Sequence, residues 1–309
     1  MSPDHADPTQ RPRLPRQAAS LGILLQVTTA TGLPTLGADI DWPDAAAALA
    51  VEESMPPGSG RLTELARWVA GAQGSADPVA PRHPRALVLG GVQSPAASGA
   101  AARLGVALTV LTPPDDVLAA AAEGVRLADA AADEGCDLLV LAGGADPTDV
   151  AAAVVCLISG AEPVSLLPRG AAAVDTARWI GRAVLLRDRL RSITRLREDP
   201  DDLLLELGDP ALALAATLLM RSAARRTLVL IDGPLVAAAA ALCYDVQARA
   251  GQWWRPADAD PDPVHRRAVD DLALTPVLDL GLARRDGLAG LLAVGVVQAA
   301  AAIVKDNSP

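Results

Sequence analysis

A chain of 309 residues has room for one large or two modest domains with a real core. It is 51% hydrophobic yet holds no Phe, one Tyr and five Trp, so its interior must be built from Leu, Val and Ala. A net charge of -10 leaves no basic face for phosphate neutralisation, and no nucleic-acid partner is expected.

Residues 1–38 read as a leader, disordered or accessory, because Pro3, Pro8, Pro12 and Pro15 among scattered charges build no core. Within it, residues 21–27 are apolar and suit a strand or a docking segment. The first twenty residues lack the apolar centre of a secretory signal, so a cytoplasmic location is expected. Residues 44–53 and 61–73 read as helices; in the second, Leu62, Leu65, Ala66 and Val69 recur at helical spacing. Buried strands are expected at 86–90, 106–111 and 137–141, with a helix over 116–134 and another ending at Ser159. Further helices are expected at 175–197 and 210–224. They lead to the most sheet-like stretch, Leu228 to Ile231, followed by the Asp232-Gly233 turn and an alanine-rich helix that starts at Pro234. Trp253-Trp254 reads as another strand, 263–272 as a helix, and 276–280 as the last strand. Residues 287–304 are apolar except for Gln298, but are shorter than the roughly 20 residues a bilayer needs. With no basic flank or aromatic belt they read as a buried C-terminal helix, and no membrane partner is expected. Alternating strands and helices predict an α/β fold, a mostly parallel sheet with helices on both faces.

Cys136, Cys156 and Cys243 are widely separated and in no metal-ligand spacing, so they read as small buried hydrophobes. Neither a metal nor a cofactor is expected. In an open α/β sheet ligands bind beyond the carboxyl ends of the strands. Asp232 belongs at that edge, either as a turn residue or as a site residue. The loop 142–149 joins a strand to a helix N-terminus, where Gly143 and Gly144 would let backbone N–H groups approach an anion and Thr148 could cap or bind. Asp146 and Asp149 in the same turn already complement the helix dipole and would repel a phosphate, so simple capping is the competing reading. Asp286-Gly287 opens the C-terminal helix, as an N-cap or as part of the same edge.

Met55-Pro-Pro-Gly-Ser-Gly-Arg-Leu62, Ile231-Asp-Gly233, His265, Leu274-Thr-Pro276 and Leu278-Asp-Leu-Gly281 follow one another in the order of a known family. The chain resembles the nicotinate-nucleotide:dimethylbenzimidazole phosphoribosyltransferases of cobalamin biosynthesis across roughly residues 40–304. The resemblance implies a Rossmann-like large domain over 81–286. It also implies a small helical domain that residues 39–80 share with the C-terminal helix of 287–309. It implies transfer of 5-phosphoribose from nicotinate mononucleotide to a benzimidazole-type base, giving alpha-ribazole phosphate, by a homodimer. The family's general-base glutamate lies in Gly-Glu-Gly-Thr-Gly-Ala, which reads Arg285-Asp-Gly-Leu-Ala-Gly290 here, so Asp286 takes the base position one methylene short. Asp232, Gly233 and Gly287 would line the ribose pocket, and Gly143, Gly144, Thr148, Arg169 and Gly170 would hold phosphate. The family's Glu-Met-Gly-Ile-Gly-Asn-Thr-Thr loop has become Ala142-Gly-Gly-Ala-Asp-Pro-Thr-Asp149, and its Tyr-Pro-Gln base-holding segment is missing. A weakened enzyme is one expectation; a non-catalytic paralogue that pairs with an active member as a heterodimer is the other.

Overall fold

The computed structural model describes residues 31–91, 93–143, 149–168 and 176–306. Five parallel strands make one sheet: β1 (Arg85–Leu89), β2 (Ala107–Leu111), β3 (Leu138–Gly143), β4 (Leu228–Asp232) and β5 (Trp254–Pro256), in the order β2-β1-β3-β4-β5. β3 and β4 are buried along their whole length, as unbroken apolar runs in a parallel sheet should be, while β2 at the edge is partly open. Register sets Leu89 opposite Gly143, Ala142 opposite Asp232 and Ile231 opposite Pro256, so the carboxyl ends of β1, β3 and β4 form one rim. The chain leaves β1 toward β2 on one side and returns to β3 on the other. The crevice between β1 and β3 is therefore the topological switch point.

Ahead of the sheet come α1 (Leu33–Ala38), α2 (Ala45–Ser54) and α3 (Arg61–Gln73). Between strands lie α4 (Pro95–Leu104), α5 (Val117–Asp133), α6 (Asp149–Ser159), α7 (Thr176–Ile193), α8 (Pro200–Leu207), α9 (Pro210–Ala224) and α10 (Pro234–Val246). α11 (Pro263–Asp271) and α12 (Leu288–Asp306) follow β5. α4 and α12 cover one face, with α12 on β3 and β4; right-handed crossovers put α5, α9 and α10 on the other. Gly290 sets the depth of α12: a Cβ there would lie 2.2 Å from Val140 Cγ1, so only glycine lets the helix sit this close to β3. α12 also packs on α3, and Val304 joins Val51, Ala66 and Ala70 in a small core of its own, built from both ends of the chain. Many helix starts follow one local rule. Ser94-Pro95, Asp199-Pro200, Asp209-Pro210 and Asp262-Pro263 each pair a side-chain acceptor for a free amide with a proline where no N–H is needed.

Three expectations need correction. Residues 33–38, read as part of the leader, form α1: Leu33 and Leu36 are buried against α9 and α10, and the Leu33 amide donates to Asp201 Oδ1 at 2.8 Å. Residues 276–280 make no strand: Val277 donates to the Pro256 carbonyl at the end of β5 at 2.8 Å and an isolated Asp258–Leu278 bridge follows, but Pro276 has no N–H with which to carry the ladder further. Trp253 ends a short 3-10 turn, and the strand begins at Trp254. The apolar run at 21–27 lies outside the described residues. Among those described, no helix is long and apolar enough to cross a membrane. All three cysteines are buried, and burial pushes the thiols of Cys136 and Cys156 up to about 11, keeping them protonated.

Candidate functional site

Backbone approaches this close need glycine, and they define the rim. Gly143 ends β3 at φ +109°, and a Cβ there would sit 2.4 Å from the Leu89 carbonyl oxygen, so no other residue fits without moving β1. A Cβ on Gly233 would lie 3.2 Å from the Gly143 oxygen, and one on Gly287 would lie 3.0 Å from Val88 Cγ2 and 3.5 Å from Ala142 Cβ. Gly143, Gly233 and Gly287 thus lie on the carboxyl ends of β1, β3 and β4, with Asp232 and Asp286 beside them. The described part of the predicted site converges.

The two acids there are held differently. Asp232 closes β4, is 4% exposed, and its Oδ2 accepts from the Gly290 amide at 3.1 Å. Burial pushes its carboxyl up to about 7; the Gly290 bond and the Arg285 charge pull it down, while Asp260 and Asp286 add to the rise. Asp286 sits at the start of α12. Its Oδ1 accepts from the Leu288 amide at 3.2 Å, and its Oδ2 takes Arg284 Nε at 3.0 Å and Nη2 at 2.5 Å. Burial works to raise its pKa, but the bonds from Arg284, Ser94 and Leu288 outweigh it and hold the carboxyl below its ordinary value. Asp286 is therefore ionised at neutral pH, whereas Asp232 stands near half-protonation.

A buried polar layer, whose acids Asp258, Asp260 and Asp262 the sequence reading did not single out, supports this rim. Arg285 Nη1 reaches Asp260 Oδ2 at 2.6 Å, and its Nη2 lies 3.6 Å from Asp262 Oδ2. Asp258, buried, accepts from the Leu280 amide at 2.7 Å and the Leu282 amide at 2.6 Å, and so fixes the segment leading to Asp286. His265 is buried beneath the same layer, and burial together with the Arg285 charge drives its imidazole down to about 4, so it is neutral. The alternating acids of Ala257-Asp-Ala-Asp-Pro-Asp262 after a strand end were the available signal. Asp149 opens α6 and is engaged by Arg182 Nε at 3.3 Å. Gly144, Thr148, Arg169 and Gly170 lie outside the described residues. Among those described, no group of His, Cys, Asp and Glu side chains is placed to hold a metal ion.

Acid outweighs base along this edge. It provides an ionised carboxylate, Asp286, able to accept a proton.

A family model described as phosphoribosyltransferase matches residues 109–308. The nicotinate-nucleotide–dimethylbenzimidazole phosphoribosyltransferase of Streptomyces avermitilis is 31% identical over 315 residues, covering 82% of this chain and 83% of that protein. Proteins of the same name from Corynebacterium efficiens and Mycobacterium ulcerans are 33% and 36% identical; those matches cover 63% and 61% of this chain and about half of each relative, 53% and 52%. The crystal structure of CobT from Thermus thermophilus superposes with a TM-score of 0.70 at 21% identity, over 84% of this chain and 95% of that one, and shares the fold.

Proposed function

The chain belongs to the phosphoribosyltransferase family, and from that premise we propose that it moves a 5-phosphoribosyl group from nicotinate mononucleotide to a benzimidazole-type base. The product is alpha-ribazole phosphate, the lower-ligand nucleotide of cobalamin synthesis. One ring nitrogen of the base attacks ribose C1′ and forms the new C–N bond. The bond to nicotinate breaks and its electron pair returns to the pyridine nitrogen, neutralising the pyridinium. Asp286 takes the proton from the second ring nitrogen. The convergence of Gly143, Asp232, Gly233, Asp286 and Gly287 on one rim carries this reading.

Physical reasons favour these roles. Acids beside the crevice attract the pyridinium and the positive charge that develops at C1′ as the bond breaks. Asp232 and Gly233 line the ribose side, and the backbone at Gly143 and Gly144, with Thr148, Arg169 and Gly170, meets the phosphate. Helices of residues 39–80 and 287–309 form the small domain, and the active unit is a dimer in the cytoplasm. Incubating the protein with nicotinate mononucleotide and dimethylbenzimidazole, with separation of products by chromatography, tests the reading. Nicotinate and alpha-ribazole phosphate should appear in equal amounts, and their absence with wild-type protein would overturn it.

A further inference from the structure

Away from the rim, a pocket of about 640 Å³ opens between the α2–α3 pair, β5 and the turn at 272–275. That volume is typical of small-molecule sites. Trp42, Trp68 and Tyr244 give it aromatic walls, which places half of the chain's five Trp and one Tyr around a single recess. Trp42 is 62% exposed, an indole left open to water. Trp68 is 4% exposed and anchored, its indole N–H donating to the Gln252 carbonyl at 2.9 Å.

Arg255 of β5 is the unusual residue in this recess. Its guanidinium stacks 5.1 Å from the Trp68 ring centroid and donates from Nη1 to the Trp254 carbonyl at 2.6 Å, using a fraction of its five N–H groups. Among the described residues no carboxylate forms an ion pair with it. The neighbouring arginines of the pocket are paired: Arg61 with Glu64 at 3.6 Å and Arg67 with Glu52 at 2.8 Å. Burial pulls the Arg255 pKa down to about 10, Glu64 across the pocket opposes this, and the like charge of Arg61 adds to it. Arg255 is half-buried, Glu64 and Arg61 act on it in opposite directions, and no described carboxylate pairs with it directly, so part of its desolvation cost is unmet. An anion in the recess would remove that cost.

We propose that this recess binds a small aromatic carboxylate, its carboxylate forked on Arg255 and its ring against Trp42 and Tyr244. A planar acid matches both features: the guanidinium fork fits two coplanar oxygens, and an indole and a phenol ring offer flat faces. This site is separate from the rim and stands whether or not phosphoribosyl transfer is observed there.

The test uses benzoate as probe, with acetate and inorganic phosphate as comparators, followed by calorimetry and saturation-transfer NMR on the full chain. Benzoate should bind more tightly than either comparator. R255M should weaken it roughly tenfold or more, R255K should restore it only in part, and W42A, at an exposed position that leaves the fold intact, should weaken it several-fold. D286N, at the rim, should leave benzoate binding unchanged. Absence of benzoate binding, binding insensitive to both R255M and W42A, or phosphate binding as tight as benzoate would each overturn the proposal.

Discussion

Replacing Asp232 with Asn tests the electrostatics of the rim most directly. The Asp232 carboxyl is buried, keeps the Gly290 amide as a donor at 3.1 Å, and titrates near 7 rather than near 3.8. Its folded-state pKa is raised, so between those two values the folded protein holds a proton that the unfolded chain has released. Stability from this group is complete at low pH and is lost as pH climbs through about 7. A shift of roughly 3 units corresponds to on the order of 4 kcal/mol at most, of which about 3 kcal/mol falls between roughly pH 5 and pH 8. D232N keeps an oxygen for Gly290 and has no proton to lose. Urea unfolding of wild type and D232N across that range should give a difference that grows in favour of the variant as pH rises. Groups common to both proteins cancel. Parallel stability profiles, or a carboxyl signal that titrates near 4 by NMR, would refute the claim that burial dominates at Asp232.

Other substitutions probe the rest of the layer. D286E lengthens the base by one methylene; since a misplacement of about 1 Å can cost on the order of 100-fold, the variant should raise kcat by roughly tenfold or more in the nicotinate-release assay, and a slower variant would count against Asp286 as the base. R285M strands Asp260, whose side chain is 3% exposed, and should cost about 3–5 kcal/mol by chemical unfolding. Because the Arg285 charge holds Asp232 down, the same change should move the Asp232 titration upward. G143A forces a Cβ to 2.4 Å from the Leu89 oxygen at a positive φ and should cost at least about 2 kcal/mol, read as a lower midpoint in urea.

Much of this organisation was legible in the sequence because it follows from local rules. Unbroken apolar runs such as Leu228 to Ile231 become buried parallel strands, and an Asp-Gly at the end of one marks the rim. Besides α1, two helices escaped notice although their starts are written plainly: Ser94-Pro95 and Asp199-Pro200 are cap-and-proline pairs, obscured by the low contrast of alanine-rich or acidic surroundings. Residues 276–280 have strand-like composition and meet the end of β5 through the Val277 amide and the bridge at Leu278, but prolines at 256 and 276 keep the pairing too short for a strand. The buried layer under the rim was illegible for another reason. Arg285, Asp260 and Asp258 are separated by more than twenty residues in places, and only the fold makes them neighbours.

The contrast between Asp232 and Asp286 bears on how such a rim can work. Asp286 closes the first turn of α12 and binds Arg284, and each contact that fixes its position also lowers its affinity for a proton. A strong base would need to be freed from those donors, whereas a well-placed one benefits from them. Asp232 has the opposite balance: burial gives it proton affinity near neutrality, but its carboxylate is tied to Gly290 at the foot of the helix. The same stretch of α12 thus carries both constraints, since Gly290 sets the depth of the helix on β3 and supplies the amide that steadies Asp232. Moving α12 outward would loosen Asp286 and strip Asp232 of its donor in one step. The position of this helix on the sheet therefore acts on both acids at once and, with their identities, sets the proton chemistry available at the rim.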